Sequence, residues 1–497
     1  MNAVKTSETL KISFPVFPLD SSLVAGQEYK IADHVNLSGH SPKHIGFIPI
    51  TDLYLDKHNS EAIIIAALKP GVIPTEEEKK VLLANGIKAY AYDFTEDVLF
   101  AAANGRQVEA MAFVPKLPKA YKIFSTKAGL KTSGGLDFGV IYSSEPCKAA
   151  GVFTTNKARA ICVDHNEARL ITKQPIQVIA CNAGIANAAT GHAGKQADLE
   201  FRIALAEKFN IDINASLIAS TGKIGVQLDI SKINKALTNI PESSILDFAT
   251  AIMTTDTRPK IFQSGSMIGF CKGSGMIAPN MATMLAFIIS DYKLRGDDFV
   301  NLKQILKDAC DKSFNAISVD SDTSTNDMVL LTTNETGEEI SLHQFKEHLE
   351  KVCHGLAQQI IADGEGLTKV IELNLYTDLN QQDSRHLAMR ILNSPLVKTA
   401  VFGNDPNWGR IIAAVGNAYS DLKQDLDLNN VSLKILGEVL YQNGQNIEFN
   451  REIMFREIQK TNRLVIDLSI GSGANYYQAW GNDLSYDYVK INAEYFT

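Results

Sequence analysis

The sequence predicts an α/β protein, because short apolar runs alternate with stretches of helical periodicity. Residues 176–181 are apolar enough for a buried strand, and a second strand is predicted at 217–219. Between them a helix is predicted behind Asp198, a candidate N-cap. The apolar positions at helical spacing in this helix are Leu199, Ile203, Ala206 and Phe209. We therefore expect an α/β fold in two layers.

The second half of the chain repeats this alternation. A helix is predicted from apolar residues on one helical face, namely Phe345, Leu349, Val352, Leu356 and Ile360. The turn at 363–366 and a strand at 370–376 follow it. These stripes are expected to form the core and to carry no chemistry themselves.

Residues 1–118 are expected to form a small extra α/β domain. They contain a strand candidate at 63–68 and a helix starting at Thr75, where Glu78 completes a capping box. The segment 115–122, PKLPKAYK, is predicted to be a linker. The run IADHVNLSGHSP at 31–42 resembles a loop of purine nucleoside phosphorylases, but the rest of such a fold is absent. An accessory or regulatory domain of unknown role is the preferred interpretation.

Composition limits the classes of function. A chain of 497 residues, 45% hydrophobic and 21% charged, can bury several cores, and length alone suggests about three domains. The net charge of -8 gives no sign of a basic surface that would bind nucleic acid, so nucleic acid is not expected as a partner. Small metabolites are the expected partners. The start of the chain has no signal-like pattern and no apolar run reaches the ~18 residues that span a bilayer. We expect a cytoplasmic protein without a membrane partner.

The six cysteines are scattered, with no CxxC pair and no histidine spacing typical of a metal site. They are predicted to be reduced and mostly buried. The oxygen-rich run DSDTSTND at 320–327 could suggest a metal loop, but such turns more often satisfy backbone groups. No metal is predicted.

Thr283 is the most informative single residue. Residues 272–288 read KGSGMIAPNMATMLAFI, so Thr283 precedes an apolar stretch and follows a loop with glycine and proline. An internal threonine hydroxyl is a poor nucleophile, but a threonine at a chain end has its own general base, an α-amine with a pKa of roughly 8. The alternative is that Thr283 is only a β-branched residue suited to a strand.

Polar motifs occur on both sides of this run. Before it stand AAGVFTTNKARA (149–160), CNAGIANAATG (181–191), IASTGKIGVQL (218–228) and AIMTTDTRPK (251–260). After it stand DSDTSTND (320–327), DGEGLTK (363–369), NDPNWGRI (404–411) and VKINAEYFT (489–497). In identity and order, these motifs resemble the ornithine acetyltransferase family, also called glutamate N-acetyltransferase, of arginine biosynthesis. The resemblance covers about residues 120–497.

The resemblance implies roles for particular residues. Thr283 would be the nucleophile, and the bond between Ala282 and Thr283 the site of self-cleavage. Thr221 and Gly222, directly after a strand, would donate to one point as an oxyanion hole. Glu365 would bind the amino group of ornithine or orient the threonine amine. The residues expected around the substrate are Thr254, Lys272, Thr283, Glu365, Asn492 and Thr497. The alternative for the Thr-Gly pair is an ordinary turn, and for Lys272 and Glu365 a surface position.

The resemblance also implies a layered, self-processing acetyltransferase fold and a reaction without a cofactor. Residues 119–282 and 283–497 would be its two fragments, and the second would begin on a central strand. The acetyl group of N-acetylornithine would pass to glutamate through an acetyl-threonine intermediate, with acetyl-CoA as a possible alternative donor. Two copies of each fragment would form a heterotetramer.

One departure and two alternatives remain open. Family members usually carry an asparagine-serine-glycine-asparagine run where this chain has Asn182, Ala183, Gly184 and Ile185, which leaves the donor and acceptor preference open. A first alternative is an amidohydrolase or aminopeptidase that uses the same terminal threonine with water as acceptor. A second is a binding protein without activity, against which the intact Ala282–Thr283 pair, Lys272 and Glu365 argue.

Overall fold

The computed structural model describes residues 10–19, 28–31, 45–48, 53–54, 64–68, 74–84, 87–91, 108–277, 284–295, 301–422 and 429–494. The chain divides into two compact units. The first comprises Met1–Leu117 and Thr257–Gln263, and the second comprises Pro118–Asp256 and Ser264–Thr497. The inclusion of 257–263 in the first unit was not predicted from the sequence.

In its described residues, the first unit contains two four-stranded sheets and a helix. Its elements are β1 (Leu10–Pro15), β2 (Phe17–Pro18), β3 (Glu28–Ile31), β4 (Ile45–Ile48), β5 (Leu53–Tyr54), β6 (Ile64–Leu68), α1 (Glu76–Ala84), β7 (Ile87–Ala91) and β8 (Val108–Phe113). The strand orders are β1-β8-β3-β5 and β2-β7-β6-β4. The predicted capping box of α1 is confirmed, because Thr75 N–H donates to Glu78 Oε2 at 2.7 Å and Glu78 N–H donates to Thr75 Oγ1 at 3.3 Å. The run at 31–42 lies, apart from Ile31, outside the described residues.

The rest of the chain contributes the other strands and helices. The strands are β9 (Tyr121–Thr126), β10 (Phe138–Phe153), β11 (Ile176–Ile185), β12 (Ser216–Lys223), β13 (Lys260–Ser264), β14 (Met267–Lys272), β15 (Leu285–Ser290), β16 (Lys293–Leu294), β17 (Ile317–Ser318), β18 (Met328–Thr333), β19 (Glu339–Ile340), β20 (Val370–Thr377), β21 (Val431–Ile435), β22 (Glu438–Gln442), β23 (Gln445–Asn446), β24 (Arg463–Ile470) and β25 (Asn475–Asn482). The helices are α2 (Ile161–Ile171), α3 (Gly191–Phe209), α4 (Ile230–Thr238), α5 (Ile245–Ala251), α6 (Leu302–Asp311), α7 (Leu342–Ile361), α8 (Gln381–Leu392), α9 (Pro395–Phe402), α10 (Trp408–Tyr419), α11 (Arg451–Lys460) and α12 (Tyr486–Glu494).

The second unit is built on two large sheets. In the first, the order is β12-β11-β10-β18-β15-β14, and β9 also pairs with β10. In the second, the order is β17-β25-β20-β24-β21-β22-β23. Helix α7 contacts β14 of the first sheet and β17 and β25 of the second. Sheets and helices therefore form layers, and the predicted α/β fold class is confirmed.

Helix α7 matches its prediction from the sequence. Ser341 and Gln344 form a capping box at its start. All five apolar residues of the predicted stripe are fully buried. Burial of each such side chain contributes about 1.5–3 kcal/mol, so this face fixes how the helix packs. The predicted strands at 176–181, 217–219 and 370–376 also lie within β11, β12 and β20.

Two local predictions were wrong. Helix α3 begins at Gly191, so Asp198 lies inside the helix, and Leu199 and Ile203 are each 41% exposed. The buried face instead contains Phe201 and Leu205, together with the ion pair between Asp198 and Arg202 at 2.9 Å. In addition, the Thr221–Gly222 pair does not follow a strand but lies inside β12.

The predicted buried, reduced cysteines are confirmed, because all six thiols are buried and free. Burial raises the pKa of Cys162 and of Cys181 to about 12, so both stay protonated at neutral pH. In the described part of the chain, no helix is both long and apolar enough to cross a membrane.

Candidate active site

A cavity of about 130 Å³ in the second unit collects most of the predicted site residues. Its lining contains Ala186, Thr221, Gly222, Ile224, Thr254, Thr255, Lys272, Gly275, Met276, Met284, Leu285, Ser324, Thr325, Asn326, Asp327, Glu365 and Asn492. Six of these come from the predicted set, and they stand on segments separated by up to 271 positions in sequence, from Thr221 to Asn492. A larger surface depression of about 470 Å³ lies between α3 and α4, away from these residues.

Thr221 and Gly222 stand near the end of β12, next to β11. Lys272 Nζ donates to Thr221 Oγ1 at 3.2 Å. Because the hydroxyl oxygen accepts this bond, its own proton remains available for another acceptor. Gly222 has φ +125° and is paired with Gly184, and a Cβ at Gly222 would lie 2.2 Å from the Gly184 carbonyl carbon. Only glycine fits this close approach of the two strands.

Asn182 and Asn326 hold the ends of β11 and β12 in place. The Ser220 hydroxyl donates to Asn182 Oδ1 at 2.7 Å, and Asn182 Nδ2 donates to the Ile185 carbonyl at 2.8 Å. Asn326 Nδ2 donates to the Ala186 carbonyl at 2.6 Å and to the Ser220 carbonyl at 2.8 Å. The strand ends that carry Thr221 and Gly222 are therefore fixed by buried side-chain amides.

Asp256 connects Thr254 to the strand end that presents Lys272. Its buried carboxylate accepts the Thr254 N–H at 2.9 Å and the Gly273 N–H at 2.6 Å. Hydrogen bonds of this kind, from backbone amides to an ionised group, are among the stronger ones in proteins. Beside them the hydroxyls of Thr255 and Ser274 are 2.9 Å apart and share a hydrogen bond.

Glu365 and Asn492 form one wall of the cavity. The Glu365 backbone N–H donates to the Ser274 carbonyl at 2.9 Å, and Asn492 Nδ2 donates to Glu365 Oε2 at 2.9 Å. A Cβ at Gly275 would lie 2.2 Å from the same carboxylate oxygen, so the carboxylate rests directly on this glycine. This wall therefore presents a carboxylate and a carboxamide to the cavity, and Lys272 also lines the cavity.

Three predicted site residues lie outside the described residues: Ala282, Thr283 and Thr497. Met284, the residue that follows Thr283 in the chain, lines the cavity and is 3% exposed. Strand β15 begins directly after it, between β18 and β14 in the interior of the first sheet.

The loop at 320–327 satisfies backbone groups, as the sequence indicated. Asp320 accepts the backbone N–H groups of Met276 and Ile277, and Asp327 accepts that of Ser324. Burial raises the pKa of the Asp320 carboxyl. Among the described residues, no group of three or more His, Cys, Asp or Glu side chains is placed to hold a metal ion.

Sequence reasoning missed the polar residues that support the site. Asp256, Ser274 and Asn326 stand inside quoted motifs, but their roles depend on distant partners. These partners are backbone groups for Asp256 and Asn326, and the Thr255 hydroxyl for Ser274. Lys131 was missed entirely: its Nζ donates to the carbonyls of Leu136 and Ala251. Burial lowers the pKa of Lys131, with the charge of nearby Lys272 acting in the same direction.

Comparison with known proteins agrees with the resemblance. The model of the ArgJ family matches residues 122–497. "Arginine biosynthesis bifunctional protein ArgJ" of Lactococcus lactis subsp. lactis (strain IL1403) is 40% identical over 398 residues, which cover 76% of this chain and 97% of the relative. The protein of the same name from Dehalococcoides mccartyi (strain CBDB1) is 43% identical over 404 residues, with 76% and 96% covered.

Two solved structures are also similar. The crystal structure of the arginine biosynthesis bifunctional protein ArgJ from Bacillus halodurans is 34% identical, with 43% of this chain and 100% of that chain covered and a TM-score of 0.39. Ornithine acetyltransferase from Mycobacterium tuberculosis, solved in complex with ornithine, is 29% identical, with 33% and 94% covered and a TM-score of 0.31. From the family match and the curated relatives, this chain belongs to the ArgJ family.

Proposed function

We propose that this chain is a self-processing acetyltransferase of arginine biosynthesis, which moves the acetyl group of N-acetylornithine to glutamate. Membership of the ArgJ family supports the pathway, and the relatives are named as bifunctional proteins of that pathway. The observation that supports the reaction most is the cavity. It brings Thr221, Lys272, Glu365 and Asn492 together next to Met284, the residue after the proposed nucleophile.

The first proposed step is self-cleavage. The Thr283 hydroxyl attacks the Ala282 carbonyl carbon, the peptide C–N bond breaks, and the acyl group moves from nitrogen to oxygen. Water then hydrolyses the resulting ester and frees the Thr283 amine and hydroxyl. The products are a first fragment, residues 1–282, and a second fragment, residues 283–497.

The second proposed step is acetyl transfer to the enzyme. The Thr283 amine takes the proton of its own hydroxyl, and the oxygen attacks the acetyl carbonyl of N-acetylornithine. The Thr221 hydroxyl and the Gly222 amide donate to the tetrahedral oxyanion. The carbon–nitrogen bond breaks, the proton passes to the leaving amine, and ornithine departs from an acetyl-threonine enzyme. The amine of glutamate then attacks the ester, which gives N-acetylglutamate and restores Thr283.

The charges of the cavity suit an amino-acid substrate. Ornithine carries an α-carboxylate and two amino groups, one of which is acetylated in the donor. Lys272 suits the α-carboxylate, and the Glu365 carboxylate suits the free amine or the amine of Thr283. Thr254, Asn492 and Thr497 supply hydroxyl and amide groups for the remaining polar atoms.

No cofactor takes part in these steps, because the threonine itself carries the acetyl group. Use of acetyl-CoA as an alternative donor to glutamate remains a prediction. The assembly of two copies of each fragment and a cytoplasmic location remain predictions as well.

Product analysis with and without glutamate tests the proposed reaction. With N-acetylornithine alone, wild type should release ornithine only up to about one equivalent per site, because acetyl-threonine accumulates. Addition of glutamate should then give equal amounts of ornithine and N-acetylglutamate. Continuous release of ornithine and acetate without glutamate would contradict the transferase and establish the amidohydrolase instead.

A pair of glutamate variants tests the proposed role of Glu365 in substrate binding. Glu365→Gln should lower kcat/KM for N-acetylornithine about tenfold or more, since a charge-assisted contact is worth about 1.5–3 kcal/mol. Glu347→Gln, on an exposed position of α7, is the matched control and should leave kcat/KM unchanged. Equal kinetics in both variants would remove Glu365 from the proposed site.

A further inference from the structure

Asp320, in the loop after β17, accepts hydrogen bonds from two successive backbone amides, the first of which belongs to the cavity-lining residue Met276. The Met276 N–H donates to Oδ2 at 2.6 Å and the Ile277 N–H donates to Oδ1 at 2.8 Å. The Ile277 carbonyl in turn accepts the Val319 N–H at 2.6 Å. Both backbone amides of residues 276–277 and the Ile277 carbonyl are therefore hydrogen-bonded to residues 319–320.

Met276 has a conformation that requires such support. Its φ is +55°, in the left-handed region that residues with a side chain rarely adopt. Its side chain lines the cavity and is 42% exposed. A disfavoured backbone conformation at a site persists only where its surroundings hold it, and here the Asp320 carboxylate accepts the Met276 amide.

The same carboxylate reaches the helix that presents Asn492. The Tyr488 hydroxyl of α12 donates to Asp320 Oδ2 at 3.3 Å, and four residues later Asn492 donates to Glu365. A buried side chain also stabilises this loop, because Lys398 Nζ donates to the Val319 carbonyl at 2.8 Å. Asp320 therefore connects two segments that line the cavity: the segment that contains Met276 and helix α12, which contains Asn492.

These contacts cross the proposed cleavage point. Met276 and Ile277 belong to the first fragment, whereas Asp320, Tyr488 and Asn492 belong to the second. Before cleavage the contacts fix the chain five residues upstream of the Ala282–Thr283 bond. After cleavage the same contacts hold Met276, a cavity-lining residue of the first fragment, against the second fragment.

We propose that Asp320 is a positioning residue for self-cleavage and for substrate binding, through its hold on Met276 and Ile277. The inference rests on the proposed function and extends it to a residue that touches neither the reacting atoms nor the substrate. Its carboxylate can accept both amides, whereas an asparagine of the same size would present an NH₂ group to one of them.

The test compares full-length wild type with Asp320→Asn and Asp322→Asn. Asp322 is exposed in the same loop, so its variant is the matched control. Self-cleavage is followed by intact mass over time, the KM for N-acetylornithine is measured on cleaved protein, and thermal unfolding reports stability. Asp320→Asn should slow cleavage about tenfold or more, equivalent to ~1.4 kcal/mol, and raise KM with a smaller change in kcat. Its unfolding temperature should stay close to that of wild type.

The outcomes separate this inference from the proposed function. The inference would be supported if wild type and Asp322→Asn cleave quickly, whereas Asp320→Asn cleaves slowly and has a similar unfolding temperature. Asp320→Asn that cleaves at the wild-type rate with unchanged KM would overturn it, as would a slow variant whose loss is explained by a large drop in unfolding temperature. A wild type that stays a single chain would contradict the proposed function, and the inference with it.

Discussion

Of the two glycines that line the cavity, Gly222 has the closer neighbouring backbone. Its φ is +125° and a Cβ there would lie 2.2 Å from the carbonyl carbon of Gly184 on the adjacent strand. The Thr221 hydroxyl, one residue away, receives its hydrogen bond from Lys272. The geometry of the proposed oxyanion hole therefore depends on two strands approaching as closely as only glycines allow.

Gly222→Ala should disrupt this arrangement. The added methyl group forces the strands apart and should cost about 1–3 kcal/mol of stability, in addition to backbone strain of the order of 1–3 kcal/mol. Self-cleavage and acetyl transfer should both be lost, as measured by intact mass and ornithine release. The control is Gly225→Ala, with φ +77° and open space around its Cβ, which should cost only the strain and retain activity. Equal activity of the two variants would refute this account of Gly222.

At this scale, six of the seventeen residues that line the cavity were identified from the sequence, and few of the residues that support them were. Family resemblance identified Thr221, Gly222 and Lys272, and the structure places all three on one cavity. It did not identify Asp256 or Asn326, because their partners include backbone groups 17 and 140 positions away, respectively. A backbone hydrogen bond leaves no residue-type signal at the partner position, so such contacts become visible only in the fold.

Among the elements, helices α7 and α3 show when hydrophobic periodicity succeeds. In α7 the apolar stripe is the buried face, and the prediction was confirmed. In α3 two apolar stripes compete, and the buried one also contains Asp198 and Arg202, which pair with each other. A buried ion pair makes a core face look polar in sequence, so periodicity selected the exposed face.

A pair of leucine variants tests this difference. Leu349→Ala in α7 should lower the free energy of unfolding by about 2–5 kcal/mol, because the side chain is fully buried. Leu199→Ala in α3 makes the same chemical change at a position that is 41% exposed, and it should stay within about 0.5 kcal/mol of wild type. Thermal or denaturant unfolding measures both. A large loss in Leu199→Ala would show that the predicted stripe, rather than the observed one, is the core.

For the whole molecule, strand pairing explains how a chain could be cut without losing its core. Strand β14 of the proposed first fragment pairs with β15 of the proposed second fragment, from Met267–Ser290 to Lys272–Leu285, and β10 pairs with β18 in the same way. The β10–β18 pair lies in the middle of the first sheet, and every residue of β15 is buried. The two fragments should therefore stay together under native conditions and separate only when unfolded.

The division of the molecule was only partly predictable. The family match begins at residue 122, next to the end of the first unit at Leu117. The sequence placed a linker there from its prolines and lysines. It gave no sign that 257–263 groups with the first unit, since that depends on contacts between segments far apart in the chain.

The central claim is that Thr283 becomes a chain end and carries the acetyl group. Intact-mass spectrometry under denaturing conditions, on wild type and Thr283→Ala after incubation with N-acetylornithine, tests it most directly. Wild type should give fragments 1–282 and 283–497, with one acetyl group on the second, and Thr283→Ala should give one unmodified full-length chain. A wild type that remains a single chain, or an acetyl group that persists in Thr283→Ala, would contradict the account.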